Sequence, residues 1–264
     1  MGTAGLQTVE GAPCQQKHSD VRPESFGGPL RAQWAGRATC RMRPKPDVEP
    51  VPMKLYFVPG APSPNRVRLY LAEKNIAGIV VPVQEVNLQG GLYQEAAHLA
   101  RNALGKVPVL EVSDGTFVSE SLAIAEYLEE CYPEPSLFGR TALERAKVRE
   151  LDRIAELRVF YLLCRYVQAT VTQRARFPDP AIGIHYKGQL PVGLKALNRE
   201  VQSNGPFIAG NRPTIVDCTL AAALEFGRTN GVNVLDEHEA LGAWFERYRA
   251  RDAVRSILNP PGPE

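Results

Sequence analysis

The sequence predicts two domains of different class: an α/β N-terminal domain of order β-α-β-α-β-β-α, then an all-α helical-bundle domain. Three observations carry this. From Met53 to Cys131, short β-branched and aromatic runs alternate with stretches of helical spacing. Beyond Leu137-Phe138-Gly139 the chain reads as helix, rich in Ala, Leu, Glu and Arg. Between the two lies Pro133-Glu134-Pro135, which neither a strand nor a helix can run through. The expected boundaries are 53–133 for the first domain, 134–140 for the linker, 141–258 for the helical domain and 259–264 for a tail.

Each element follows in order. Lys54 to Val58 is a short strand, ended by Pro59-Gly60-Ala61-Pro62. A helix is expected at about 64–75, with Val67, Leu69, Tyr70 and Leu71 as its apolar positions. Val80 to Val86 is a second strand, and a short helix lies near 93–101. Strands at 107–112 and 116–118 pair through the Asp114-Gly115 turn. A helix at about 121–131 stops before Pro133. In the second domain the periodicity predicts one long helix from about 141 to 175, a loop at 177–183 and a helix at about 186–203. Thr214-Ile215-Val216-Asp217 opens a further helix with a capping-box pattern. That helix is apolar almost all round, so it is expected at the buried centre of its domain. A last helix covers about 238–250.

Residues 1–52 differ from the rest. Seven Pro and six Gly make up a quarter of them, and seven basic against five acidic residues account for the whole net charge of +2. No apolar periodicity there supports a core. The segment reads as a disordered leader, or as an upstream extension of a chain whose working start is Met53. It has no apolar stretch of secretory type.

The charge balance implies no strong preference for nucleic acid or anionic membrane, and no apolar run approaches the roughly 20 residues of a membrane helix. The five cysteines (Cys14, Cys40, Cys131, Cys164, Cys218) lie far apart and lack metal-ligand or redox-pair spacing. They read as reduced thiols in a cytoplasmic protein, with no metal implied.

One constellation carries chemistry. Pro108 sits between Val107 and Val109, and a proline in such a run belongs at a strand's edge, start or bulge. Eleven residues after Pro108, Ser119-Glu120-Ser121 brings an acid and two hydroxyls to the start of a helix. An anionic side chain beside a helix N-terminus suits a small zwitterion. The plain alternative is that the two serines are helix caps and Glu120 a first-turn acid.

These residues, with Asn102-Ala103-Leu104-Gly105-Lys106 before them and Phe207 to Leu220 downstream, resemble the cytosolic glutathione transferase family over essentially all of 53–258. The Ser63-Pro64-Asn65 start is similar to that of some bacterial members. The resemblance implies a thioredoxin-like N-terminal domain, glutathione as co-substrate, an apolar electrophile bound between the domains, and a homodimer. Glutathione S-transferase chemistry is the first expectation. A glutathione-dependent disulfide or peroxide reductase and a non-catalytic transferase-fold binding protein are the alternatives.

The resemblance also assigns roles. Glu120 pairs with the γ-glutamyl ammonium and Ser121 takes the carboxylate. Val107, before Pro108, offers backbone groups to the cysteinyl residue. Lys106 reaches the glycyl carboxylate or is simply solvated. The family's tyrosine position falls near Phe57, which has no hydroxyl, and Tyr56 points to the other face. No cysteine occurs between 53 and 130, which excludes the cysteine-type classes. Ser63 is left as the thiolate-stabilising hydroxyl, with Asn65 as helper or substitute. Otherwise Ser63 is only the N-cap before Pro64, and a backbone donor serves. Arg158, Tyr161 and Arg165 lie at spacings of 3, 4 and 7 on one helix face. They read either as a wall of the electrophile pocket or as a domain-packing face. Thr214 and Asp217 are read as structural caps.

Overall fold

The computed structural model describes residues 53–76, 83–85 (backbone only), 95–113, 115–171 and 178–258. The proposed leader, the tail after Leu258 and the parts of predicted elements that fall between these ranges lie outside them. All described residues belong to one compact unit.

The N-terminal half follows the expected order. Strand β1 (Lys54–Phe57) leads to α1 (Pro62–Glu73), β2 (Val83–Glu85), α2 (Ala96–Arg101), β3 (Val109–Ser113), β4 (Thr116–Ser119) and α3 (Ser121–Cys131). The sheet order is β2-β1-β3-β4, with β1 and β2 parallel and the other neighbours antiparallel. This is a thioredoxin-like arrangement. Leu55, Leu69, Leu110, Ile124 and Leu128 are fully buried and share its core. Helix α1 starts two residues earlier than its spacing predicts. Prolines are tolerated in a first turn because N–H groups there have no intrahelical acceptor.

The second half is helical: α4 (Ala142–Ala155), a π turn (Glu156–Phe160), α5 (Tyr161–Thr170), α6 (Pro180–Asn204), α7 (Ile215–Thr229), α8 (Glu239–Arg249) and α9 (Asp252–Leu258). Every residue from Ile215 to Gly227 is buried, so α7 is the centre of the bundle as its composition requires. The Asp217 carboxylate accepts from Thr214 N at 2.9 Å, Ile208 N at 3.1 Å and Trp244 Nε1 at 3.0 Å.

Three expectations are corrected. The long helix of 141–175 is interrupted by the π turn and α5 ends at Thr170. Helix α6 packs closely against the π turn. A Cβ on Gly193 would stand 2.5 Å from Arg158 Cβ and 2.9 Å from its carbonyl oxygen. Helix α6 begins at Pro180, inside the expected loop, because Asp179 Oδ1 caps Ile182 N at 3.1 Å and Pro180 occupies the first turn. The helix expected at 238–250 is α8 but is not the last, since α9 follows after a break at Ala250-Arg251.

Charged side chains fasten the first half to the linker and to α9. Glu129 of α3 accepts from Tyr70 OH at 2.7 Å and from Leu137 N at 3.0 Å, and pairs with the fully buried Lys74 at 2.7 Å. Glu73 pairs with Arg251 at 2.9 Å. None of the described helices is long and apolar enough to cross a membrane.

Candidate active site

Three loop-to-element junctions converge at one end of the N-terminal half. The Val107–Pro108 peptide is cis, and both residues precede β3. Val109 pairs with Ser119 across the β3–β4 hairpin. Continuing that register two residues beyond the ladder brings Val107 level with Ser121. The chain therefore places the two motifs side by side through strand pairing alone. Val107 N–H and C=O have no hydrogen-bond partner among the described residues, so they are free for an added extended peptide. The Asn102 side chain braces the approach, donating to Lys106 O at 3.0 Å and accepting from Leu104 N at 3.1 Å. Lys106 itself is exposed.

The turn into α3 is unusual. Glu120 occupies the N-cap position with φ +69° and makes no side-chain cap. A non-glycine residue in the left-handed region costs on the order of 1–3 kcal/mol and persists only when its surroundings impose it. The alternative reading of the serines as caps is corrected: neither caps α3. Ser121 is the first helical residue, 3% exposed, and its Oγ accepts from Arg66 Nε at 3.0 Å and Nη2 at 2.6 Å. Glu120 is exposed at the surface of the same turn.

The N-terminus of α1 completes the group. Its N-cap is Ala61, without a side-chain cap, so Ser63 is the second residue of the helix and not its cap. Pro62 and Pro64 carry no N–H, and Asn65 N bonds Ala61 O at 3.1 Å. Among the first three helical residues Ser63 alone offers a backbone donor, and its hydroxyl is half-buried with no described partner. Ser63 lies one turn before Arg66, so the two share a helix face. Asn65 is buried and its Oδ1 accepts from Arg68 Nη1 at 3.2 Å, which holds its amide in place.

The other hydroxyl near β1 is committed elsewhere. Tyr56 OH donates to Glu111 Oε2 at 2.6 Å and Arg101 stacks over its ring. Burial and that carboxylate raise its phenol above the ordinary value. Phe57 is buried beneath the Arg68 guanidinium.

Arg66 was not among the residues singled out by sequence. It is 3% exposed, spans both halves of the unit, and adds to its Ser121 bonds a 3.1 Å ion pair with Glu156. The Phe160 ring lies 5.1 Å from its guanidinium. Both Glu156 and Phe160 belong to the π turn, so the helix interruption presents them together. Nη1 of Arg66 is buried without a partner, which costs on the order of 1–3 kcal/mol. The available signal was an arginine between Asn65 and Val67, one turn after Ser63 and one turn before Leu69 and Tyr70.

The expected second-substrate residues are arranged differently. Arg158, Tyr161 and Arg165 are all exposed. Arg165 Nε donates to Tyr161 OH at 3.3 Å, and this bond lowers the Tyr161 phenol below its ordinary value. Tyr161 meets Tyr186 edge-on at 6.3 Å, and Arg158 backs onto Gly193. No hydrogen bond or ion pair joins these three to Ser63, Arg66 or Ser121 among the described residues. The contacts from the site to this helix run through Glu156 and Phe160 instead. A groove of about 810 Å³ between α4, α6 and the loop before α7, lined by Glu144, Lys147, Glu200 and Arg212 among others, includes none of the site residues.

Sequence comparison sets these features among known proteins. The profile of the glutathione S-transferase N-terminal domain matches residues 55–136, and that of the glutathione S-transferase C-terminal domain matches 186–252. The chain is 31% identical over 210 residues to glutathione S-transferase 2 of Saccharomyces cerevisiae, covering 78% of this chain and 89% of that protein. It is 33% identical over 203 residues to a maleylacetoacetate isomerase of Pseudomonas aeruginosa, covering 76% and 90%. The crystal structure of Gtt2 from Saccharomyces cerevisiae superposes with a TM-score of 0.70 at 31% identity, over 77% of this chain and 99% of that one. With both domain profiles in order and relatives matched over most of their length, this chain belongs to the glutathione S-transferase family and is a glutathione transferase.

Proposed function

We propose that the enzyme conjugates the thiolate of glutathione to a small apolar electrophile. The observation that carries this reading is the convergence of three sets of polar groups: Ser63 at α1, Val107 before β3, and Glu120-Ser121 at α3. Glu120 pairs with the γ-glutamyl ammonium and Ser121 with the carboxylate. Val107 bonds the cysteinyl backbone, and Lys106 faces the glycyl carboxylate. The cysteinyl sulfur then falls at the start of α1. The Ser63 hydroxyl and N–H, with the helix dipole, stabilise the thiolate there. A charged hydrogen bond contributes about 1.5–3 kcal/mol, which lowers a thiol by about one to two pH units. Asn65 serves as a helper, its amide held by Arg68.

The thiolate attacks the electrophile's carbon, a sulfur–carbon bond forms, and the leaving group or adjacent π electrons take the electron pair. Burial argues against reductase chemistry through the described thiols of α5 and α7. It pushes Cys164 up to about 12 and raises Cys218 as well, and both are inaccessible. Addition to a conjugated double bond followed by elimination would isomerise it, so the likeness to a maleylacetoacetate isomerase places unsaturated acids among the electrophiles worth assaying. The domain division at 134–140, a homodimer and a cytoplasmic location belong to the same proposal. Light scattering checks the dimer.

The experiment is retention on glutathione-agarose, followed by turnover of an aryl halide, an unsaturated carbonyl compound, a small disulfide and a peroxide. Conjugation faster than reduction supports the reading. Retention without turnover of any of the four favours the non-catalytic binding protein, and dominant disulfide turnover favours the reductase.

A further inference from the structure

We propose that Arg101 and Tyr56 are positioning residues for glutathione: they clamp α2 to the sheet and so hold the 102–106 loop that presents Val107 to the cysteinyl backbone. The proposal rests on the glutathione reading and deepens it.

Alternation along β1 sends Leu55 into the core it shares with α1 and α3, and sends Tyr56 to the opposite face of the sheet. There Tyr56 is 4% exposed and is held in two ways. Its hydroxyl donates to Glu111 Oε2 at 2.6 Å, and Glu111 is fixed within β3 between β1 and β4. The Arg101 guanidinium lies over its ring, 4.3 Å from the centroid. Lys54, on the same face, stands 3.9 Å from the Glu111 carboxylate. Burial and the Glu111 carboxylate raise the Tyr56 phenol above its ordinary value against the pull of Arg101, so it remains a donor at neutral pH.

What this clamp holds is short and has few ties of its own. Helix α2 has six residues, well below the roughly 12–15 that an isolated helix needs, so its place depends on what it packs against. His98, three residues before Arg101 on the same face, is buried with neither ring nitrogen hydrogen-bonded. Among the described residues, Arg101 on Tyr56 is thus the one polar side-chain attachment of α2 to the sheet. The next residue is Asn102, whose side chain bonds Leu104 N and Lys106 O, and Gly105 N closes onto Asn102 O at 2.8 Å. Those bonds make 102–106 one unit, but none of them reaches the sheet. The loop therefore takes its position from Arg101 at one end and from β3 at the other. Val107 stands between the two, and an edge held in place before binding loses less freedom when an extended peptide adds to it.

The test measures steady-state kinetics with glutathione and with its depsipeptide analogue, in which an ester replaces the amide between the γ-glutamyl and cysteinyl residues. The ester lacks the cysteinyl N–H that meets the Val107 carbonyl, so in wild type it should raise KM about tenfold, the scale of one lost hydrogen bond. Arg101→Met is expected to raise the KM for glutathione about 5- to 10-fold. Its kcat should stay within about twofold of wild type, because the sulfur lies at α1 and not on this loop. The ratio of ester to glutathione KM should fall from about ten to about three, since a displaced Val107 has less of that bond to lose. Arg101→Lys keeps a cation over the ring and should restore most of the affinity. A purely structural Arg101 would raise both KM values alike, so an unchanged ratio overturns the clamp, as does an unchanged KM for glutathione. If Arg101→Met does not fold, Tyr56→Phe takes its place: it keeps the ring but frees it from Glu111, the ratio should fall in the same direction, and an unchanged ratio overturns the clamp. Wild-type enzyme that uses glutathione and its ester equally overturns the clamp alone. Wild type that uses neither overturns the glutathione reading and the clamp with it.

Discussion

The starts of α3 and α7 are written in similar residues and have opposite character. At α7 the acid, Asp217, is fully buried, and its two oxygens accept from Thr214, Ile208 and Trp244. Every partner is supplied by the chain. At α3 the acid, Glu120, is exposed, holds a left-handed backbone and caps nothing. Its neighbour Ser121 accepts two hydrogen bonds from Arg66, which take up the acceptor positions of its hydroxyl and leave the proton to be donated. A helix start that consumes its own donors serves the fold. One that keeps them open while carrying backbone strain is set for a ligand. The start of α1, with no side-chain cap and two prolines around Ser63, belongs to the second kind.

Removing the acid from the closed start should have the largest effect. Asp217→Ala leaves four donor groups of three residues without their acceptor inside the core, so a loss of about 3–5 kcal/mol is expected in urea unfolding. The KM for glutathione of the enzyme that still folds should change less than twofold. A large KM change with little loss of stability would erase the distinction between the two starts.

The same residue makes the second prediction. Burial, opposed by its hydrogen bonds, raises the Asp217 carboxyl from 3.8 to about 6. A carboxyl raised in the folded state binds more protons than in the unfolded chain between those values, so its contribution is present below about pH 4 and lost as pH rises through 6. The span corresponds to about 3 kcal/mol. Asp217→Asn cannot titrate, so its stability relative to wild type should rise from pH 4 to pH 7. A pH-independent difference would show that the network holds the ionised form without penalty.

The comparison also separates what was legible in the sequence from what was not. The Thr214-Asp217 box was legible because a cap and its acid are three residues apart in one helix. That the two motifs belong to one hairpin was legible, but not their alignment: a register shift between Glu111 and Ser113 moves the β3–β4 pairing by one residue, and only then does Val107 come level with Ser121. Arg66 was not legible, since its partners Ser121 and Glu156 are 55 and 90 residues away and only tertiary packing joins them. The π turn was invisible for a related reason. It inserts one residue into a helical period that the composition carries straight through, and its close neighbour is Gly193 of another helix. The face that meets α1 carries Glu156 and Phe160, and at 100° per residue it lies opposite the face drawn through Arg158, Tyr161 and Arg165.

At the open start of α1, Ser63→Ala should lower kcat/KM about 10- to 100-fold, or about 1.4–2.7 kcal/mol, because the Ser63 N–H remains as a donor. The alkaline shift of the thiolate limb in the pH–rate profile should be about one unit. Stability should move by less than about 0.5 kcal/mol, since the side chain caps nothing. An unchanged pH profile would take Ser63 out of the chemistry and leave the backbone donor alone.

The smallest effect is the sharpest test of the idea that strain at α3 is kept for the ligand. Glycine adopts φ near +69° without penalty, but it also has more freedom to lose on folding. Glu120→Gly should therefore stabilise the protein by only about 0.5–1 kcal/mol, the relief of strain being partly offset by entropy. The same change removes the partner of the γ-glutamyl ammonium and should raise the KM for glutathione about fivefold, the scale of one partly exposed ion pair. Gain in stability together with loss in binding is the signature of a site residue held against its own preference. Were Glu120→Gly destabilising instead, the glutamate would be serving the fold, and the start of α3 would belong with that of α7.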